Sequence, residues 1–182
     1  MAGIDESIAF HPLNIAVLTV SDTRTMETDK SGALLEARAT QAGHNVVSRV
    51  ICSDDYDKLV AQLQAWVADA GIEVVLPTGG TGVPGRAVTP EAVEHVGEKH
   101  IPGFGELFRW QSYQTIKTST IQSRATAVVA KGTYIFALPG STGACRDGWE
   151  GILKDQLDIR HRPCNFAELI PRLQEHGGCH DH

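Results

Sequence analysis

Ile72-Glu73-Val74-Val75-Leu76-Pro77-Thr78-Gly79-Gly80-Thr81-Gly82 is an apolar, valine-rich run that stops abruptly in glycines and threonines. Such a run reads as a short strand buried on both faces, up to Pro77. A glycine-rich turn at its carboxyl end stands where open α/β sheets place their ligand crevice. Toward the N-terminus, Asn14-Ile15-Ala16-Val17-Leu18-Thr19-Val20 has the same character. Between the two, a helix is predicted over Ser31 to Gln41 with Gly43 as its stop, and a strand over Asn45 to Ile51. Asp55 to Ala70 carries Leu59, Val60, Leu63, Trp66 and Val67 at helical spacing and is closed by Gly71. Repeated β-α-β alternation predicts an α/β fold with a mostly parallel sheet between helices. Beyond the loop, Thr89-Pro90-Glu91-Ala92 reads as N-cap, first-turn proline and first-turn acid, which starts a helix at residue 90. Helices are expected over Glu106 to Gln114 and Ser119 to Ala130, a strand over Thr133 to Leu138, and a last helix from about Thr142 to Leu157. One domain, residues 13–170, is expected between a flexible lead (1–12) and a flexible tail (171–182).

The chain has 182 residues, 42% of them apolar, and 16 basic against 22 acidic side chains leave a net charge of −6. At this length about 70% of the unfolded chain's surface is buried on folding, so a core needs neither disulfides nor a structural metal. The acidic balance argues against non-specific nucleic-acid binding, which requires clustered Lys and Arg. Cys52, Cys145, Cys164 and Cys179 form no C-x-x-C pair, which fits a reducing, cytoplasmic setting. Neither a signal peptide nor a membrane span is expected.

With that charge, an anionic ligand must be held locally. Glycines let successive backbone N–H groups turn toward an anion, and Thr78 and Thr81 add hydroxyls, so Thr78, Gly79, Gly80, Thr81 and Gly82 read as a phosphate-binding nest. The plainer alternative is a tight turn. No Gly-Lys-Ser/Thr follows, which sets aside a P-loop. Gly80-Thr81-Gly82-Val83-Pro84-Gly85 matches the dinucleotide pattern G-x-G-x-x-G, but Pro84 intervenes and the helix opens only near residue 90, so a nicotinamide module is a minor alternative. Ser21-Asp22 and Leu138-Pro139-Gly140-Ser141 end two further strands and are expected on the same crevice, although Asp22 has an equal reading as a turn residue. Thr118-Ser119-Thr120 and Ser123-Arg124 place hydroxyls and a guanidinium at a supposed helix start, suited to phosphate or to ordinary capping. Asp54 and Asp55 follow the second strand and read as cation ligands or as a helix cap. No histidine pattern marks a metal site inside the domain; Cys179, His180 and His182 in the tail form at most a weak chelating group.

At these residues the chain resembles the MoaB/MogA family of molybdenum-cofactor biosynthesis proteins, relatives of the gephyrin G domain, and is most similar to the MoaB branch. The likeness spans about residues 13 to 168. It rests on Leu18 to Asp22, Thr78 to Gly82, Thr89 to Ala92, Gly103-Phe104-Gly105-Glu106-Leu107-Phe108-Arg109, Thr118-Ser119, Ser123 to Ala125 and Leu138 to Ser141, in family order. The resemblance implies a three-layer α/β/α sandwich, a homotrimer or homohexamer, and a site for molybdopterin, which active members adenylylate with Mg-ATP. It implies phosphate contacts from Gly79, Gly80, Thr81 and Gly82. Ser21, Thr78, Ser119, Ser123, Pro139, Gly140 and Ser141 would complete the ligand site, with Asp22, Asp54 and Glu106 as the carboxylates of transfer and no dedicated protein metal centre. Three positions depart from the family pattern: Ala87 stands where an aspartate is usual, and Lys117 and Val128 where glycines are usual. The competing expectations are an adenylyltransferase and a non-catalytic molybdopterin-binding or carrier oligomer, separated by Ala87.

Overall fold

The computed structural model describes residues 2–175. The suggested chelating group at Cys179, His180 and His182 lies outside them. In chain order the elements are β1 (Gly3–Ile4), β2 (Asn14–Val20), α1 (Lys30–Gln41), β3 (Asn45–Cys52), α2 (Tyr56–Val67), β4 (Val74–Thr78), α3 (Thr89–Val96), β5 (Lys99–His100), α4 (Pro102–Ile116), β6 (Thr126–Ala130), β7 (Thr133–Ala137), α5 (Thr142–Gly148), α6 (Lys154–Gln156) and β8 (His161–Arg162). A 3₁₀ segment (Lys117–Gln122) follows α4, and a π-helical turn (Trp149–Leu153) joins α5 to α6.

The main sheet has six strands in the order β3-β2-β4-β7-β6-β5. The first four run parallel, β6 is antiparallel to β7, and β5 is antiparallel to β6. Strand β2 leads outward to β3, and α2 then carries the chain back past β2 to β4. The order therefore reverses between β2 and β4, which is the switch point where such sheets bind ligands. Two buried clusters make the layers. Leu35 of α1, Phe104 and Phe108 of α4, and Cys145 and Trp149 pack on one face. Leu59, Leu63 and Trp66 of α2 and Ala92 and Val93 of α3 pack on the other. Asp29 caps α1 by accepting from the Gly32 N–H at 2.9 Å, and Asp55 caps α2 by accepting from the Lys58 N–H at 3.0 Å.

Two expectations are corrected. The helix over Ser119 to Ala130 does not exist: Thr126–Ala130 is β6, joined to β7 by Lys131 and Gly132, both at positive φ (49° and 85°). That pair is a tight hairpin turn, and burial among neighbouring strands overrides the helix propensity of the alanines. Thr89 does not cap α3; it is the first helical residue, and no side chain caps that end. In the N-terminal lead, Gly3 and Ile4 pair with Arg162 and His161, and the Phe10 ring lies against His44 and Arg160. Among the described residues no helix is long and apolar enough to cross a membrane.

Candidate functional site

The carboxyl ends of β2, β4 and β7 meet at the switch point. Gly79, at φ +102°, lies so close to the Val20 carbonyl that a Cβ would collide with it. On the other side, a Cβ on Gly140 would stand 3.1 Å from the Gly79 Cα. Only residues without side chains let three strand ends approach this closely. Above them opens a cleft of about 500 Å³, lined by Gly79, Gly80, Thr81, Gly82, Ser123, Pro139, Gly140 and Ser141. Its apolar wall comes from Val20, Phe108, Ile116 and Ala144, with Ser112, Thr120 and Gln122 as further polar groups. The lining contains neither Lys nor Arg.

The glycine loop supplies what the side chains lack. The carbonyl of Gly80 accepts the Thr89 N–H at 3.1 Å, that of Thr81 accepts the Arg124 N–H at 3.0 Å, and that of Gly82 accepts Arg124 Nε at 2.8 Å. In a planar trans peptide the N–H points opposite to the C=O, so the N–H groups of Thr81, Gly82 and Val83 are directed away from those partners. Among the described residues these three N–H groups have no hydrogen-bond acceptor. Consecutive free N–H groups form a concavity for an anion that needs no net positive charge nearby.

The carboxylates lie on the Gly80 flank. Asp22 accepts the Asp54 N–H at 3.1 Å and is ion-paired with Arg86. Asp54 Oδ1 stands 3.2 Å from where a Gly80 Cβ would be. Burial, followed by the nearby negative charge of Asp22, raises the Asp54 carboxyl above its ordinary pKa. Beside it the Thr89 hydroxyl is buried without a partner, its residue 1% exposed, and a Cβ on Gly80 would run into it. Buried hydroxyls are normally bonded, so this oxygen is an exception among the described residues.

Several candidates fall elsewhere. The Thr78 hydroxyl is buried and bonded to the Pro139 carbonyl and Cys145 Sγ, both at 3.0 Å; it ties strand ends together and does not face the cleft. Burial pushes the Cys145 thiol up to about 11, which makes it a structural, unreactive group. Ser21 Oγ accepts the N–H groups of Thr23 and Arg24 at 3.2 Å and fixes a turn. Ser119 is exposed on the 3₁₀ segment, and its neighbour Thr120 reaches the cleft instead. Glu106 is exposed in a separate groove with Glu91, Glu94, Arg109 and Arg124. Ala87 lines a third groove with Val83, Pro84 and Arg124. What sequence reading missed is the stripe Phe108-Ser112-Ile116, one face of α4 at i, i+4, i+8 spacing, which walls the cleft. That periodicity was the available signal. Along the same helix Phe108 is core at 2% exposure, whereas Trp110 is 67% exposed.

Fold and cleft together define an open α/β domain with a glycine-lined cleft at the switch point of its sheet. Residues 16–159 match the family described as "Probable molybdopterin binding domain". Over 160 residues, 88% of this chain and 94% of the relative, it is 49% identical to molybdenum cofactor biosynthesis protein B of Escherichia coli K12. A crystal structure of molybdenum cofactor biosynthesis protein B superposes with a TM-score of 0.83 at 37% identity, covering 91% of this chain and 98% of the other. The tungsten cofactor synthesizing protein MoaB from Pyrococcus furiosus gives 0.74 at 30% identity, covering 90% and 98%. The chain belongs to the MoaB/MogA family of molybdenum cofactor biosynthesis proteins.

Proposed function

We propose that this chain binds molybdopterin by its terminal phosphate on the Gly79–Gly82 loop and transfers an adenylyl group to it from Mg-ATP, in the cytoplasm and as a homotrimer or homohexamer. The observation that carries the reading is the row of three acceptor-free N–H groups at Thr81, Gly82 and Val83, the first two of these residues lining a cleft with one apolar wall. Such a cleft suits a flat heterocycle with a phosphate tail. In the transfer, the terminal phosphate oxygen forms a bond to the α-phosphorus of ATP, the α–β phosphoanhydride bond breaks, and pyrophosphate leaves. The chain's part is alignment and charge neutralisation, with no covalent nucleophile required. Magnesium entering with ATP supplies positive charge to the phosphates, and a site with one or two carboxylates suits it. Asp54 and Asp22, with the unpartnered Thr89 hydroxyl between α3 and the loop, are the oxygens that fit it. The exposed Trp110, Tyr113 and Leu107 on α4 support self-association.

Ala87 favours a second reading, a binder or carrier of molybdopterin without transfer. Molybdopterin and Mg-ATP are incubated with the unmodified chain, with Ala87→Asp and with Asp54→Asn, and adenylylated pterin is counted. The proposal expects slow turnover in the unmodified chain, faster turnover in Ala87→Asp, and loss in Asp54→Asn with molybdopterin affinity retained. Binding without turnover in both the unmodified chain and Ala87→Asp establishes the carrier reading, and absence of molybdopterin binding overturns both.

A further inference from the structure

The Arg124 guanidinium sits behind the glycine loop. Its Nε donates to the Gly82 carbonyl at 2.8 Å, one terminal nitrogen pairs with Glu91 and the other donates to the Ala87 carbonyl, while its backbone N–H holds the Thr81 carbonyl at 3.0 Å. One residue therefore fixes the carbonyls of Thr81, Gly82 and Ala87 and anchors them to α3 through Glu91. Loops containing glycine are free to flip their peptides, and a flip at Gly82 would turn a carbonyl into the cleft where an anion must lie.

We propose that Arg124 is the positioning residue of the anion loop: its planar fork holds the Gly82 and Ala87 carbonyls away from the cleft and so fixes the peptide that carries the Val83 N–H, while its backbone N–H holds the Thr81 carbonyl and so fixes the peptide that carries the Gly82 N–H. Arg124 touches no ligand in this arrangement, because its terminal nitrogens are occupied by Glu91 and Ala87. In the sequence Arg124 is suited to phosphate or to ordinary capping; in the fold its side chain bonds Gly82, Ala87 and Glu91. It rests on the reading of the loop as a phosphate site. It also gives the position of residue 87 a role independent of its side chain, since the carbonyl there is a third anchor of the same fork. Lysine keeps the charge but presents one point donor in place of a rigid fork.

The test compares Arg124→Lys with the unmodified chain by amide hydrogen exchange over residues 79–90 and by calorimetric titration with inorganic pyrophosphate. Losing a charge-assisted hydrogen bond that orders the loop is expected to speed exchange there and weaken pyrophosphate by about tenfold or more, with exchange in β6 and α2 unchanged. Wild-type exchange and affinity in Arg124→Lys would overturn the proposal, because a charge alone would then suffice. Faster exchange spread evenly over the domain would overturn it as well, by reducing Arg124 to a general stabiliser. If Arg124→Lys does not fold, Glu91→Gln carries the test, with the same local change expected and no change as the contrary result. The exchange readout needs no ligand, so it stands apart from the molybdopterin reading, which fails only if the unmodified chain does not bind molybdopterin.

Discussion

Replacing Gly80 by alanine should damage the site through one identifiable contact. Gly80 sits at φ +63°, where a Cβ costs about 1–2 kcal/mol in left-handed backbone. The new methyl also runs into Thr89 Oγ1, with Asp54 Oδ1 at 3.2 Å and Val20 Cγ1 at 3.3 Å leaving little room to retreat. Overpacking of this kind adds about 1–3 kcal/mol, for a total of about 2–5 kcal/mol. Thr89→Ala alone should be close to neutral: it loses a buried methyl, about 1 kcal/mol, but also removes a hydroxyl that has no partner. Combined with Gly80→Ala, it removes the collision and leaves the backbone strain. The double variant should therefore be more stable than Gly80→Ala by about 1–3 kcal/mol, which at this chain length is roughly 2–10 °C in Tm. Urea unfolding at 25 °C of the four proteins gives the coupling directly. Additivity within about 0.5 kcal/mol would show that the Thr89 hydroxyl does not limit the space beside Gly80, and the packing argument for that glycine would fail.

Lys117 occupies φ 53°, ψ −135° at the end of α4, a strained region for any residue with a Cβ. Lys117→Gly should stabilise by about 1 kcal/mol, after loss of the exposed Lys117–Tyr113 contact, seen as a Tm rise of about 2–4 °C; a fall would show that the contacts outweigh the strain. His44 is buried, its Nδ1 accepting the Leu13 N–H at 3.2 Å, and burial lowers its pKa against the opposing pull of Asp158. The unfolded chain then takes up the proton first, so His44 contributes stability present above pH 6.5 that is lost as pH falls from there toward its lowered folded pKa; His44→Gln should flatten the Tm profile below about pH 6.5, where an unperturbed imidazole becomes protonated, and an unchanged slope would refute the assignment. Light scattering at micromolar concentration should show a trimer or hexamer, and a 19.6 kDa species would count against self-association through the exposed α4 face.

What was legible in the sequence was whatever depends on the backbone. Strands β2, β4 and β7 announce themselves as buried runs, and the glycines after them follow from a requirement that three strand ends touch. The hairpin at Lys131 and Gly132 was missed because Thr126 to Ala130 is short and alanine-rich, and its strand state is imposed by β7 alongside it rather than by its own preference. Side-chain roles were legible only as types. Thr78, Ser21 and Arg124 carry groups suited to phosphate, yet the fold has bonded the first to Pro139, the second to its own turn and the third to Gly82, Ala87 and Glu91, while Thr89, read as a helix cap, is left without a partner. A motif states which donors a segment carries; only the surrounding chain determines which remain free. By that criterion the donors left free at the glycine loop are the peptide N–H groups of Thr81, Gly82 and Val83, which no residue letter displays, while the Arg124 guanidinium beside them bonds the carbonyls of Gly82 and Ala87.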